Sequence, residues 1–111
     1  MANTPEGKVK DAIKKFLKER GAWYFMPVSN GMGQVGIPDI ICCYKGLFVA
    51  IEAKAPGKKA NTTANQERVL NAIHAADGFA WVVDNPDDMP VLFNALDIAF
   101  KLENPNGKVN T

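Results

Sequence analysis

The chain has 111 residues, 47% of them hydrophobic, and a formal net charge of +1, so it can bury one core and hardly two, and bulk charge cannot supply affinity for a polyanion. No apolar run approaches the ~20 residues of a membrane helix, and the opening MANTPEGKVK has no signal-peptide core; a soluble, cytoplasmic protein with no membrane partner is expected. A single histidine and two adjacent cysteines exclude a Cys/His zinc site within one chain, leaving hard cations with oxygen ligands as the metals to consider.

Thr4 suits an N-cap, Pro5 the first helical position and Gly21 a stop, which predicts a helix from Pro5 to about Arg20. Val9, Ala12, Ile13, Phe16 and Leu17 form its inward stripe, and Glu6 falls on the same side. On its position alone Glu6 reads as a residue favoured by the helix dipole. Lys8, Lys10, Lys14, Lys15, Lys18 and Arg20 are placed on the other faces, as a solvated surface or a phosphate-binding one. Residues 22–28, AWYFMPV, read as a first strand that Pro27 confines to an edge or an exit. The stretch Gly31 to Gly36 spells G-x-G-x-x-G, but a strand follows it where the dinucleotide fingerprint requires a helix. It reads instead as a glycine-rich loop that lets a nucleic-acid backbone approach, with Ser29, Asn30 and Gln34 as candidate contacts.

Gly36 to Lys54, GIPDIICCYKGLFVAIEAK, reads as a hairpin with Lys45-Gly46 at its turn. Tyr44 then pairs with Leu47, and counting outward brings Asp39 opposite Glu52, two like charges that repel unless a cation sits between them. The period of two puts Lys54 on the face that carries both carboxylates. Glu52 also interrupts an apolar run that reads as a strand buried on both faces, where a charge has to be paired, protonated or metal-bound. Cys42 and Cys43 point to opposite faces and are expected as reduced, packed thiols.

After the break Ala55-Pro56-Gly57, Lys58 and Lys59 add two cations beside Lys54. A second helix is predicted from about Thr63 to Gly78, with Val69, Leu70 and Ile73 buried and Thr63-x-x-Gln66 as a capping box. On its spacing Gln66 caps. His74 reads as a surface or packing residue. Phe79 to Val83 predicts a strand parallel to the third, and a last helix from about Pro90 to Leu102 is expected to bury Val91, Leu92, Ala95, Leu96, Ala99 and Phe100. Residues 1–103 form one expected domain and 104–111 a polar tail.

Gly36-Ile37-Pro38-Asp39 with Ile51-Glu52-Ala53-Lys54 resembles the motif of the PD-(D/E)XK nucleases in its VRR-NUC form, and Glu6 and Gln66 extend the resemblance over most of the chain. It implies an α/β, restriction-endonuclease-like αβββαβ core with a mixed sheet flanked by helices, here with an extra C-terminal helix. It further implies a DNA endonuclease dependent on Mg²⁺ or Mn²⁺, selective for junctions or branched DNA and working in repair or recombination. Asp39 and Glu52 would hold the metal with the Ala53 carbonyl, and Glu6 would complete the site directly or through water. Lys54 would orient the attacking water or stabilise phosphate charge, and Gln66 would face the site and position Lys54 or the nucleophile, although one amide is not expected to do this and cap as well. Lys14, Lys15, Lys18, Lys58 and Lys59 would bind DNA, and a homodimer is expected because one such site cuts one strand. Two rivals are a nucleic-acid-binding module with the same fold and no chemistry, and a nucleotide-binding protein using the glycine loop.

Overall fold

A computed structural model of the chain describes residues 3–28 and 35–103. Helix α1, Pro5–Arg20, begins where Thr4 Oγ1 accepts the Gly7 N–H at 2.9 Å and ends at Gly21, whose φ of 83° lets Gly21 and Ala22 donate back to the carbonyls of Lys18 and Leu17. Strand β1, Trp23–Phe25, is shorter than the predicted 22–28. It is an edge strand, and Pro27 has no N–H to carry the ladder further. Strands β2, Ile40–Tyr44, and β3, Leu47–Ala53, form the expected hairpin, with Tyr44 opposite Leu47. Lys45 and Gly46 take φ of 52° and 80°, the paired left-handed residues of a two-residue turn.

Helix α2, Ala64–Ala75, leads into β4, Phe79–Val83, which pairs parallel to β3. A short 3₁₀ turn at Pro86–Asp88 opens helix α3, Met89–Glu103. The sheet is mixed, in the order β1-β2-β3-β4.

Alternation along the strands sorts the core into two layers. Ile40, Cys42, Tyr44, Val49, Ile51, Ala53 and Val83 pack with Val9, Ile13 and Leu17 of α1 and with Met89, Phe93 and Leu96 of α3. On the opposite face Ala50 and Ala80 pack with Leu70 of α2, beside Ile41, Ile73 and Val82. Cys42 is buried and Cys43 exposed; burial, with the adjacent Cys43, pushes the Cys42 thiol up to about 12 and keeps it inert. A clasp ties the first layer together: Asp97 accepts from Tyr44 Oη at 2.8 Å, Lys45 Nζ at 2.9 Å and Arg20 Nη2 at 3.1 Å.

The inward stripe of α3 differs from the predicted one. Met89, Phe93 and Leu96 are buried, Leu92, Ala99 and Phe100 are half-buried, and Val91, Ala95, Ile98 and Leu102 face outward. This helix is apolar on nearly every side, so its hydrophobic period does not choose a phase; the large Phe93 does, filling the space between Phe16, Tyr44 and Trp81.

Candidate active site

Asp39 stands one residue before β2, after the buried Pro38. The ladder closes at Ile40 opposite Ile51, in the predicted register but one step short of an Asp39–Glu52 pair. Instead the Asp39 side chain takes over the strand end, Oδ2 accepting the Ala53 N–H at 2.9 Å. That bond holds Asp39 close enough for its charge to act on Glu52.

Glu52 sits inside β3 between β2 and β4, under α2, and is only 5% exposed. Its Oε2 accepts from Gln66 Nε2 at 2.9 Å and lies 3.5 Å from Lys54 Nζ. Its Oε1 is buried with no hydrogen-bond partner among the described residues. Burial first, and the neighbouring Asp39 charge second, push the Glu52 carboxyl up to about 7 against the pull of Lys54.

Gln66 fills both roles that the sequence set against each other. Its Oε1 accepts from the Thr63 N–H at 3.0 Å and from Lys54 Nζ at 2.9 Å, closing the capping box with Thr63 Oγ1 while its Nε2 donates to Glu52. A carbonyl oxygen has two lone pairs and the amide nitrogen two protons, so one amide serves the cap and the site together. Lys54 in turn is fixed by its own N–H, which donates to Val83 O at 2.9 Å.

Gly36 brings α2 to this cluster. Its φ is 87°, and a Cβ there would lie 2.5 Å from Asn65 O and 3.0 Å from the Gln66 N. The bare backbone of Gly36 therefore lets the first turn of α2 settle onto the strand end. The glycine was visible in the sequence, but its partner was not.

Glu6 is not drawn in with Asp39 and Glu52: among the described residues no three His, Cys, Asp or Glu side chains converge to hold a metal. The Glu6 side chain is half-exposed, and its Oε2 lies 4.0 Å from Lys10 Nζ. Lys10, grouped by sequence with the outward cations, turns to the site and places Nζ 3.5 Å from Asp39 Oδ1. Its position one turn after Glu6, itself assigned to the inward side, was the available signal.

Ala53 is buried at the end of β3. Lys14 pairs with Asp11 at 3.2 Å, Lys15 and Lys18 are exposed on α1, and Lys58 and Lys59 are exposed beyond β3. Ser29, Asn30 and Gln34 lie outside the described residues. His74 is on the surface, with Nε2 2.8 Å from Ala80 O. No helix among the described residues is long and apolar enough to cross a membrane.

The Asp39 and Glu52 carboxylates offer oxygen donors only, the kind a hard cation takes. A buried carboxylate oxygen without a partner, beside a second carboxylate, calls for a proton or a positive ion there.

No family model matches the sequence, and no curated protein does. A solved structure of a VRR_NUC domain is similar in shape, with a TM-score of 0.67 and 21% identity, covering 82% of this chain and 96% of that one. Since the match covers nearly the whole of that domain, the chain, a mixed sheet flanked by helices, has the restriction-endonuclease-like fold of a VRR_NUC domain.

Proposed function

We propose that this protein is a VRR-NUC-type DNA endonuclease that hydrolyses phosphodiester bonds with Mg²⁺ or Mn²⁺. The observation that carries the reading is the linked set Asp39, Glu52, Lys54 and Gln66 with the orphaned Glu52 oxygen at its centre. Asp39, Glu52 and the Ala53 carbonyl would hold the cation, and Glu6 would complete the site directly or through water. A bound divalent cation supplies Lewis-acid activation of the phosphoryl group and of the water that attacks it. Lys54 offers its ammonium to the charge developing on the phosphate, and Gln66 keeps that ammonium and Glu52 in fixed relation. Lys14, Lys15 and Lys18 of α1, with Lys58 and Lys59, hold the DNA backbone. Junctions or branched DNA are the proposed substrates, in repair or recombination within the cytoplasm.

A homodimer would pair two such single-strand sites, and the exposed Val91, Ile98 and Leu102 of α3 offer it an apolar surface. Light scattering that returns only 12.1 kDa at micromolar concentration removes the dimer.

Linear and branched DNA incubated with and without Mg²⁺ or Mn²⁺ tests the activity. Cutting is expected only with metal and is expected to vanish in Asp39→Asn and Glu52→Gln, whose folds are checked by circular dichroism. Asn is chosen over Ala because Asp39 satisfies the Ala53 N–H, and an amide oxygen keeps that bond. Activity in excess EDTA refutes the metal, and binding without cutting under any metal leaves a non-catalytic module.

A further inference from the structure

The two oxygens of Asp39 are not equivalent. Oδ2 is committed to the Ala53 N–H at 2.9 Å, which leaves Oδ1 as the oxygen free to take another partner. On that oxygen, at 3.5 Å, lies Lys10 Nζ, which also reaches within 4.0 Å of Glu6 Oε2. Lys10 thus stands between the two acidic side chains that bracket the outer side of the site, and its own side chain is only 26% exposed.

We propose that Lys10 is the resident counter-ion of the metal-free site, an internal cation that a divalent ion must displace from Asp39 Oδ1 before it binds. This rests on the reading of Asp39 and Glu52 as the metal-holding pair. Three features support displacement rather than permanent pairing. The 3.5 Å separation exceeds the ~2.7–2.9 Å of a charge-assisted hydrogen bond, so the contact is mainly coulombic. A lysine arm is flexible and presents a point charge, with none of the two-pronged grip by which an arginine would lock the carboxylate. Glu6, one helical turn away, gives the displaced ammonium a place to retreat to.

Lys10 then sets a threshold for loading. It relieves the Asp39–Glu52 repulsion while the site lacks metal, and it weakens metal binding by having to leave. Isothermal titration of Mn²⁺ into the whole protein, wild type against Lys10→Met, Lys10→Gln, Lys10→Arg and Glu52→Gln, tests this without reference to cutting. Lys10→Met and Lys10→Gln are expected to bind Mn²⁺ roughly three- to fivefold tighter than wild type, the scale of a partly exposed ion pair. Lys10→Arg is expected to bind no tighter than wild type, and Glu52→Gln to lose binding. Equal or weaker Mn²⁺ binding in both neutral variants, with wild type binding normally, overturns the role of Lys10 and leaves the metal site standing. Absence of Mn²⁺ binding in wild type and neutral variants alike overturns the metal reading and this proposal with it. The two neutral variants differ in shape, so a folding failure of one leaves the other to decide.

Discussion

Replacing Gln66 by Glu separates its two jobs. A glutamate at this position of α2 still caps, because its oxygen accepts the Thr63 N–H and its charge favours the helix start. It also keeps an acceptor for Lys54, now as an ion pair. What it loses is the donor: the Nε2 that lies 2.9 Å from Glu52 Oε2 becomes a carboxylate oxygen. A hydrogen bond to a charged group contributes about 1.5–3 kcal/mol, and its loss is joined here by like-charge repulsion in a buried setting. The stronger attraction to Lys54 returns about 0.5–1 kcal/mol. The net expectation is a loss of about 2 kcal/mol at pH 8, or roughly 8 °C in Tm for a domain of this size.

The loss depends on pH. As pH falls through about 7, where burial and Asp39 already hold the Glu52 carboxyl, one of the two carboxyls takes up a proton, the pair becomes O–H donating to O⁻, and the missing bond is restored. Thermal unfolding followed by circular dichroism from pH 5 to pH 8, for wild type, Gln66→Glu and Gln66→Ala, therefore has a distinct pattern. Gln66→Ala loses cap and site together and is destabilised at both ends of the range. Gln66→Glu is destabilised mainly at high pH. If Gln66 served only as a cap, the glutamate variant would be as stable as wild type at pH 8 or slightly more so, and that result refutes the bond to Glu52.

Gly36→Ala is expected to cost at least about 1–3 kcal/mol in urea unfolding, because it combines a left-handed φ with a Cβ pressed against Asn65 O. Asp97→Asn tests the clasp: Lys45 first, then Tyr44 and Arg20, hold the Asp97 carboxyl down at about 2. Since that value lies below the unfolded one, the stabilisation is full above about pH 4 and is lost as pH falls through about 2, so the variant should be about 1–2 kcal/mol weaker at pH 7 and the gap should close as pH drops to about 2 and below. Lys14, Lys15 and Lys18 changed together to Glu are expected to weaken DNA binding and flatten its salt dependence, as read by fluorescence anisotropy; unchanged binding places the DNA on another face.

What was legible in the sequence is what one element decides by itself. Thr4, Pro5 and Gly21 bound α1 through local backbone chemistry, and Lys45-Gly46 set the hairpin register from which the shared face of Asp39, Glu52 and Lys54 follows. Glu52 was legible for an energetic reason: a charge inside an apolar strand opposes burial, and only a compensating partner keeps it there. The phase of α3 was not, because Met89, Phe93 and Leu96 are no more apolar than the neighbours that stay outside. Gly36 and Gln66 act between elements, one by letting α2 approach and the other by joining Thr63, Lys54 and Glu52, and hydrophobic periodicity carries no record of such contacts. Lys10 is the sharpest case. On α1 it is one cation in a row of similar ones, and a solvated lysine and a lysine poised over a carboxylate have the same composition and the same helix propensity. Its place one turn after Glu6 hints at the inward side, but what distinguishes it is the direction of its side chain toward Asp39. That direction depends on how α1 seats against the end of the β2–β3 hairpin, a property of packing that no single segment of the chain encodes.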